Sequence, residues 1–450
     1  MSAHASIAME YVNMRKQGLY IAVLLSVGSV FLMGGCTKGA SGSAVTEIAL
    51  WTFPNFTSET GKSGDFERSL IAAFEAQYPS IKVNFTQVSF TDGDSVIEAA
   101  IKAGTPPDVV YDAPGRILVW AQRGLLEPLD DILATEKPSI TTGLLTVSTG
   151  TDRRTYMYPM HQVPFSMAFN KELLEDLDVI DLLPYKRRDR QWTVLEYETL
   201  LKALKAKLPA GKVPGVFYYK TQGGDQGTRA FLVNLYGNAG LLNEDYSQYI
   251  FNTPEAVKNL AWTARALKQG WLLDGADLTS NDAIALFAEG KAAHTILYSP
   301  QLNKMYDGKR NYNGKDFTSI YMPFPNDSQS PLLEFLAGGA CLFKSDDSAK
   351  LEAAKSLIHF AATDKVWAPR LVAATGGFPA SEKVQIAFND SELLYNSVLQ
   401  RFFGQYYNNI QGFSTMRGYW NTLLKETMTG KDIQASADSF VRQANTSLNP

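Results

Sequence analysis

The 450-residue sequence has few cysteines and few histidines, the residues on which many metal and nucleophilic sites depend. One of the two cysteines, Cys341, lies in the apolar run GGACLF, which predicts a buried core thiol. None of the histidines outside the N-terminal segment has a Glu or His at the helical spacing of a metal site. The sequence also lacks a G-x-S-x-G nucleophile elbow and a P-loop. These absences argue against metal-dependent hydrolysis, serine-hydrolase chemistry and nucleotide hydrolysis.

An excess of positive charge is also absent. The formal net charge is −4, and there is no long basic run, so the sequence does not predict nucleic-acid binding. Nearly half of the residues are hydrophobic, which is enough for a large core. The length of the chain predicts either two domains or one large domain.

Only one long hydrophobic run occurs, and it lies near the N-terminus. The segment Gly18–Gly35 carries no charge and follows Arg15 and Lys16, a pattern typical of a secretory signal peptide. The run ends in LMGGC, which resembles a lipobox with Met in place of the usual Leu. We therefore expect residues 1–35 to be a signal peptide and Cys36 to be the site of lipid attachment. An uncleaved membrane anchor is the alternative, because the run is about long enough to span a bilayer.

The residues after this cysteine are small and polar. The segment TKGASGSA predicts a flexible tether over residues 36–44, which would hold an exported domain at the extracytoplasmic side of the membrane. Met14 opens a normal signal-peptide sequence, so the true start is either Met1 or Met14.

Beyond the tether, strand and helix patterns alternate. Glu47–Phe53 and Ile81–Phe85 have strand character, the segment between them has the apolar spacing of a helix, and Asp108–Asp112 resembles a buried strand. This alternation predicts an α/β fold with a mainly parallel sheet, in which ligand groups gather at the carboxyl ends of strands. Later, Thr253 as N-cap and Gly270 as terminator frame another helix. Two α/β lobes fit the whole pattern better than one sheet.

The order of several segments resembles the extracellular solute-binding proteins of carbohydrate-uptake ABC importers. The resemblance is carried by IALWTF, AAIKAGTPPDVVYDAPGRILVWAQRGLLEPLDD, YMYPMHQVPFSMAFNKELLEDL, ALFAEGKAAHTIL and AAKSLIHFAATDKVWAPRLVAATGGFPA, in the family's order. It covers nearly all of the chain after the tether. A departure is GKAAH, in which the family usually has Ala-Met at the last two positions.

The resemblance implies two lobes, each with a mainly parallel sheet flanked by helices, joined by interleaved hinge crossings. By this analogy the first lobe comprises residues 45–163 and 293–344, and the second comprises 164–292 and 345–450. The chain would cross near Val163–Pro164, near His294 and near Phe343–Lys344.

The resemblance also implies a function. The protein would be a monomeric carbohydrate receptor that delivers a sugar to the permease subunits of an ABC importer, while a separate cytoplasmic ATPase supplies the energy. No catalytic residue, cofactor or metal is expected. A secreted glycoside-acting enzyme and a structural surface lipoprotein are the alternatives, although no carboxylate pair marks a hydrolase.

A sugar ring has apolar faces and a rim of hydroxyls, which aromatic rings and polar side chains bind respectively. We therefore select residues at strand ends, in loops and at glycines that would let a backbone approach the ligand. The candidate ligand contacts are Trp51, Phe53, Asn55, Asp112, Arg116, Phe165, Tyr236, Asn238, Tyr298, Ser299, Gly338, Gly339, Arg417, Tyr419 and Trp420. Among them, Tyr298 and Tyr419 are expected to stack on the sugar, and Asp112 to accept hydrogen bonds from its hydroxyls. Trp120, Trp262 and Trp271 fall in helical patterns and are predicted to be core.

Overall fold

The computed structural model describes residues 45–57, 60–89, 92–221, 223–407 and 410–448. The predicted signal peptide, the tether and Cys36 lie outside these residues. No helix in the described ranges is both long and apolar enough to cross a membrane.

Short strands and helices alternate along most of the chain. The strands are β1 Thr46–Thr52, β2 Ile81–Gln87, β3 Val109–Asp112, β4 Leu126–Glu127, β5 Tyr158–Pro164, β6 Ser166–Asn170, β7 Val216–Tyr218, β8 Leu273–Gly275, β9 His294–Tyr298, β10 Ser319–Met322, β11 Phe335–Phe343 and β12 Phe378–Pro379. The α-helices are α1 Asp65–Gln77, α2 Gly93–Lys102, α3 Pro114–Gln122, α4 Asp130–Leu133, α5 Thr142–Val147, α6 Lys171–Asp176, α7 Val194–Lys207, α8 Gln226–Asn234, α9 Pro254–Lys268, α10 Ser280–Ala288, α11 Pro300–Met305, α12 Ser348–Thr363, α13 Trp367–Thr375, α14 Ser391–Leu399, α15 Phe413–Met428 and α16 Ile433–Leu448.

A seven-stranded sheet organises a first hydrophobic core. Its main strand order is β12-β5-β11-β3-β1-β2, and β4 pairs with β11. Alternating burial along β1 places Ile48 and Leu50 in this core, where α12 covers them with Leu357 and Ile358. Cys341 in β11 is a buried free thiol, as the sequence predicts.

A second core contains two smaller sheets and most of the C-terminal helices. β10, β6 and β9 form one antiparallel sheet, and β7 and β8 form a parallel pair. α9 begins as predicted, because the Thr253 hydroxyl accepts a hydrogen bond from the Ala256 amide and Pro254 occupies the first helical position. α15 and α16 complete this core with Trp420 and Phe440.

The expectation of mainly parallel sheets is wrong, although the α/β class is confirmed. In the seven-stranded sheet only the β1–β2 and β1–β3 pairs are parallel, while β11 is antiparallel to β3, β4 and β5. β11 enters the sheet after the chain has passed through the second core, and it runs against its neighbours. The sheet is therefore mixed.

The two cores also divide the chain differently from the predicted lobes. Residues 294–298 and 319–322 pair with β6 and belong to the second core, whereas residues 348–375 pack on the first. The cause is packing: HTILY is an apolar strand that completes the β6 sheet, and the apolar faces of α12 and α13 cover the larger sheet. The crossings predicted near His294 and near Phe343–Lys344 are therefore wrong.

Candidate functional site

Two of the segments that carry the chain between the cores lie close together. β5 of the first core leads into β6 of the second within Pro164–Ser166, and the chain returns between Leu333 and Phe335. The two segments are hydrogen-bonded to each other, because the amide of Phe165 donates to the carbonyl oxygen of Glu334 at 2.9 Å. Side chains near these segments can contact both cores.

Four residues at the carboxyl ends of the first-core strands form a group that we call the strand-end cluster: Phe53, Asp94, Asp112 and Arg116. Asp112 ends β3, and α3 begins at Pro114, so Arg116 lies four residues later in the first turn of that helix. Its Nη2 donates to Oδ1 of Asp112 at 2.7 Å, its Nε also donates to this carboxylate, and its Nη1 lies 3.2 Å from Asp94. The guanidinium carbon lies 4.3 Å from the centroid of the Phe53 ring.

Burial decides which member of the strand-end cluster can meet a ligand. Asp112 is buried, it also accepts a hydrogen bond from the Ala113 amide, and burial raises the pKa of its carboxyl although Arg116 opposes the rise. The side chain of Arg116 is 36% exposed. The oxygens of Asp112 already accept hydrogen bonds from Arg116 and Ala113, so its expected role as a direct acceptor for sugar hydroxyls stays a prediction.

A second group, which we call the charge network, lies in the second core: Asp225, Arg229, Glu334, Tyr407 and Arg417. Arg229 is fully buried between two carboxylates. Its Nε and Nη2 donate to Glu334 at 3.0 and 2.9 Å, and its Nη1 donates to Asp225. The hydroxyl of Tyr407 donates to the same Glu334 carboxylate. This pairing satisfies charges that would otherwise be costly to bury.

The exposed end of the charge network is Arg417. Its Nη2 and Nε donate to Asp225 at 2.7 and 3.0 Å, and its side chain is 26% exposed. Burial raises the pKa of the Glu334 carboxyl, and the charge of Arg229 acts against this rise. The network thus presents one partly exposed guanidinium that is held in a fixed position.

Neighbouring residues at the return segment link the strand-end cluster with the charge network. Phe335 follows Glu334 directly, and its ring centroid lies 5.0 Å from that of Tyr406. Tyr406 packs in the first core and contributes to the electrostatic surroundings of Arg116, whereas its neighbour Tyr407 packs in the second. Two pairs of adjacent residues therefore connect the clusters that carry Arg116 and Arg417.

Four other predicted contacts are half-buried. Trp51 packs against the first core, whereas Phe165 and Tyr419 pack against the second; Asn55 is also only partly covered. Tyr419 lies two residues after Arg417 in α15. All four retain some accessible surface, so the structure leaves their predicted role as ligand contacts open to experiment.

Tyr236 and Asn238 have partners that belong to neither cluster. The ammonium of Lys258 lies 3.8 Å from the centroid of the Tyr236 ring. The Asn238 amide donates to the carbonyl oxygen of Ser330 at 3.0 Å and accepts a hydrogen bond from Asn326 at 2.7 Å. These contacts hold a loop of the second core.

Three predicted contacts are core residues instead. Tyr298 is fully buried, its hydroxyl donates to Oδ1 of Asn303 at 3.1 Å, and its ring packs edge-on against Phe287. Ser299 is buried and caps α11. Trp420 is fully buried. Tyr298 and Ser299 were selected because they follow an apolar strand, but that strand, β9, is buried along its whole length. Trp420 was selected because it lies near a break in a helical pattern, but it is one of the buried residues of α15. A further predicted contact, Phe53, is also buried, and its ring packs against the guanidinium of Arg116.

Close packing against β5 explains why glycine occupies positions 338 and 339, which the sequence analysis selected for close approach of a ligand. A Cβ atom on Gly338 would lie 2.1 Å from Cε1 of His161, and one on Gly339 would lie 2.0 Å from the carbonyl oxygen of Tyr158. The register of β5 and β11 shifts between these glycines, as at a β-bulge. Their small size is therefore required by the neighbouring strand.

Sequence reasoning missed most of the charge network. GGDQG at residues 223–227 has the composition of a turn, yet Asp225 in it binds both Arg229 and Arg417. The available signal was an Asp and an Arg four residues apart at the start of helix α8, which follows strand β7. No spacing rule predicts that Glu334, more than 100 residues away, reaches the same arginine.

The described residues contain no group of three or more His, Cys, Asp or Glu side chains arranged to hold a metal ion.

Comparison with known proteins identifies the family. The model of a family described as bacterial extracellular solute-binding protein matches residues 58–366, more than half of the chain. The chain belongs to this family. Among curated relatives, a putative binding protein of Brucella abortus is 25% identical over 241 residues, which are 53% of this chain and 55% of that protein. The alignment therefore spans about half the length of this curated relative.

Solved structures of solute-binding proteins share the fold over almost the whole chain. The sugar-binding protein MalE of Xanthomonas citri superposes with a TM-score of 0.72 at 16% identity, covering 90% of this chain and 97% of that one. A solute-binding protein of Thermotoga lettingae bound with α-D-tagatose gives a TM-score of 0.70 at 19% identity, covering 90% and 100% of the two chains. The two-lobe α/β fold predicted from the sequence is thereby confirmed.

Proposed function

We propose that this solute-binding protein is the extracytoplasmic carbohydrate receptor of an ABC importer, which captures a sugar between its two lobes. The observation that carries the proposal is the pair of held guanidiniums, Arg116 and Arg417, whose clusters lie on different cores. Charge-assisted hydrogen bonds from such groups suit sugar hydroxyls, and the half-buried rings of Trp51 and Tyr419 suit its C–H faces.

The proposed lobes follow the two cores. The first comprises about residues 45–164 and 335–380, and the second about 165–334 and 391–448. A sugar bound to one lobe gains contacts when the other approaches, so binding shifts the population toward a closed form. The closed form would dock on the permease subunits of the importer, and a separate cytoplasmic ATPase would drive transport.

The proposal includes export and anchoring. A signal peptide over residues 1–35, lipid on Cys36 and a tether over 36–44 would keep a monomeric receptor at the outer side of the cell membrane. LMGGC after a basic and then an apolar stretch supports this part. The receptor would release its sugar chemically unchanged, and a glycoside-acting enzyme is the alternative that a product assay separates.

Calorimetry with a panel of neutral mono- and oligosaccharides, including tagatose and maltose, tests the proposal. We expect at least one to bind without turnover. Replacing either Arg116 or Arg417 by Ala should weaken binding ten-fold or more, because a hydrogen bond from a charged group contributes roughly 1.5–3 kcal/mol. Arg123→Ala is the matched control, since Arg123 follows α3, outside the strand-end cluster, and pairs with Glu98.

Three results would contradict the proposal. They are no binding by any saccharide, wild-type affinity in both arginine variants, and release of a cleaved product.

A further inference from the structure

The outer sides of α7 and α9 in the second core carry a group of cations that we call the basic face: Lys202, Lys205, Lys258, Arg265 and Lys268. All five side chains are exposed. Those of α9 are separated by seven and three residues and those of α7 by three, so each set lies along one side of its helix. The formal net charge of the whole chain is −4, so this concentration of positive charge is local.

Contacts between the two helices join these cations into one surface. Nη2 of Arg265 in α9 donates to Oε2 of Glu198 in α7 at 2.8 Å, and the ammonium of Lys205 donates to a carbonyl oxygen at the end of α9. The ring of Trp271 receives a cation from each helix: Nζ of Lys202 lies 4.8 Å from its centroid and the guanidinium carbon of Arg265 lies 5.5 Å from it.

Little negative charge balances the basic face. Among the described residues, the carboxylate that pairs with it is Glu198, which forms ion pairs of 2.7 and 2.8 Å and is 13% exposed. Lys205, Lys258 and Lys268 form no ion pair with a carboxylate in the described part of the chain. Lysines in the last turn of a helix offset the helix dipole, but Lys202 and Lys258 lie earlier in their helices. The positive charge is therefore available to an anionic partner.

Apolar surface accompanies this charge. The rings of Tyr236 and Trp271 are half-buried, and the ammonium of Lys258 lies 3.8 Å from the centroid of the Tyr236 ring. Leu273, two residues after Trp271, is 37% exposed. Aromatic rings among lysines and arginines are typical of surfaces at the boundary between membrane and water, where the cations meet anionic head groups.

We propose that the basic face docks the second lobe on the anionic surface of the membrane to which the protein is anchored. The cations bind lipid phosphates, and Trp271 and Leu273 contact the head-group region. The proposal rests on the anchoring part of the proposed function, because the eight residues 37–44 span at most about 29 Å and would keep the domain beside the bilayer. It does not depend on sugar binding.

Lysine labelling on vesicles tests the proposal with the full chain and without sugar. The vesicles contain phosphatidylcholine alone or with phosphatidylglycerol, and acetylation of each lysine is followed by mass spectrometry. The apolar N-terminal segment can bind both kinds of vesicle, so the difference between them reports on lipid charge. Phosphatidylglycerol should slow the labelling of Lys202, Lys205, Lys258 and Lys268 about five-fold or more, and high salt should abolish the effect.

Charge reversal assigns the docking to the basic face. Lys205→Glu combined with Lys268→Glu should abolish the protection of Lys258. The matched control is Lys102→Glu combined with Lys344→Glu, at two exposed lysines of the first core, and it should keep that protection. Lys102 lies in the last turn of its helix, as Lys205 and Lys268 do, so the two variants are also similar in their effect on helix dipoles.

A gentler variant keeps the test decisive if the charge reversal fails to fold. Lys205→Gln combined with Lys268→Gln removes the two charges without adding carboxylates, and it should also weaken the protection of Lys258. Melting temperatures of all variants check that they are folded.

The proposal is overturned if phosphatidylglycerol slows the labelling of the basic face no more than that of Lys102 and Lys344. It is also overturned if the folded variants of Lys205 and Lys268 protect Lys258 as well as wild type does, or if inorganic phosphate gives the same protection without vesicles. Absence of sugar binding in calorimetry would contradict the proposed receptor function and leave this surface standing, since the labelling contains no sugar.

Discussion

At the scale of single residues, two buried histidines show how each core fixes the protonation of a side chain. The Nδ1 of His294 donates to the carbonyl oxygen of Pro214 at 2.6 Å, so its Nε2 must accept from the Tyr197 hydroxyl at 2.7 Å. Nδ1 of His161 lies 2.6 Å from the Tyr111 hydroxyl, and the two rings are stacked. Burial lowers the pKa of each imidazole to about 4.

These histidines should make the protein less stable in mild acid. The unfolded chain binds protons at these positions below about pH 6.5, whereas the folded protein resists protonation down to about pH 4, so the free energy of unfolding falls as the pH falls through this window. Between pH 7 and pH 5 we expect a loss of roughly 2 kcal/mol for each histidine. Urea unfolding of wild type and His294→Gln at both pH values measures it.

The control for this prediction is the exposed His359. His359→Gln should keep the full pH dependence, and His294→Gln should lose about half of the histidine contribution. Equal pH dependence in the wild type and in His294→Gln would show that His294 is not held neutral by the fold.

The charge network gives a second prediction at this scale. Arg229→Met leaves two carboxylates buried without their shared cation, and breaking a buried pair in this way costs roughly 3–5 kcal/mol. The urea midpoint should therefore fall strongly, whereas Lys186→Met, which breaks the exposed pair with Asp181, should leave it unchanged. Equal midpoints for the two variants would show that the buried network does not stabilise the fold.

The sequence predicted the position of a residue correctly where neighbouring residues in the chain determine that position. Arg116 lies just after the end of β3, as its place in the sequence predicts, and Trp120 and Trp262 are buried. Trp271, which was also predicted to be core, follows the end of α9 and is only partly buried. Tyr298 and Trp420 were misassigned because their orientation depends on which distant elements cover β9 and α15. Asp225 and Glu334 were missed because their partners are set by the tertiary fold.

At the scale of elements, the β5–β11 pair links the large sheet to both crossing segments. β11 contacts β3, β4 and β5, and it begins directly after the return of the chain from the second core. The local patterns predicted the strands and helices that flank this pair, including α9 from Thr253. They could not predict that β11 runs antiparallel to β3, because strand direction depends on the path of the chain through the second core.

The close contact of β5 and β11 predicts a strong effect of one methyl group. Gly339→Ala would place Cβ against a backbone oxygen that cannot move alone, so we expect a loss of about 1–3 kcal/mol in unfolding free energy and a lower melting temperature. Gly143→Ala is the matched control, because its Cβ would meet no atom within 4 Å, and removing a helical glycine should stabilise slightly. Calorimetric melting of both variants decides whether packing explains Gly339.

At the scale of the whole molecule, two separate cores are joined by short crossing segments. The family match and the solved structures support two lobes, and the hydrogen bond between Phe165 and Glu334 ties two of their connections together. Rotation of one lobe against the other would require changes mainly at these segments, since each core is packed internally. Closure on a sugar is therefore the central claim of the proposed function.

Small-angle X-ray scattering tests that claim most directly. The full chain is measured with and without a saturating concentration of the saccharide that calorimetry identifies. The account predicts a smaller radius of gyration with the saccharide, and no change when Arg116→Ala and Arg417→Ala are combined. An unchanged radius of gyration in the wild type at saturation would contradict closure between the lobes.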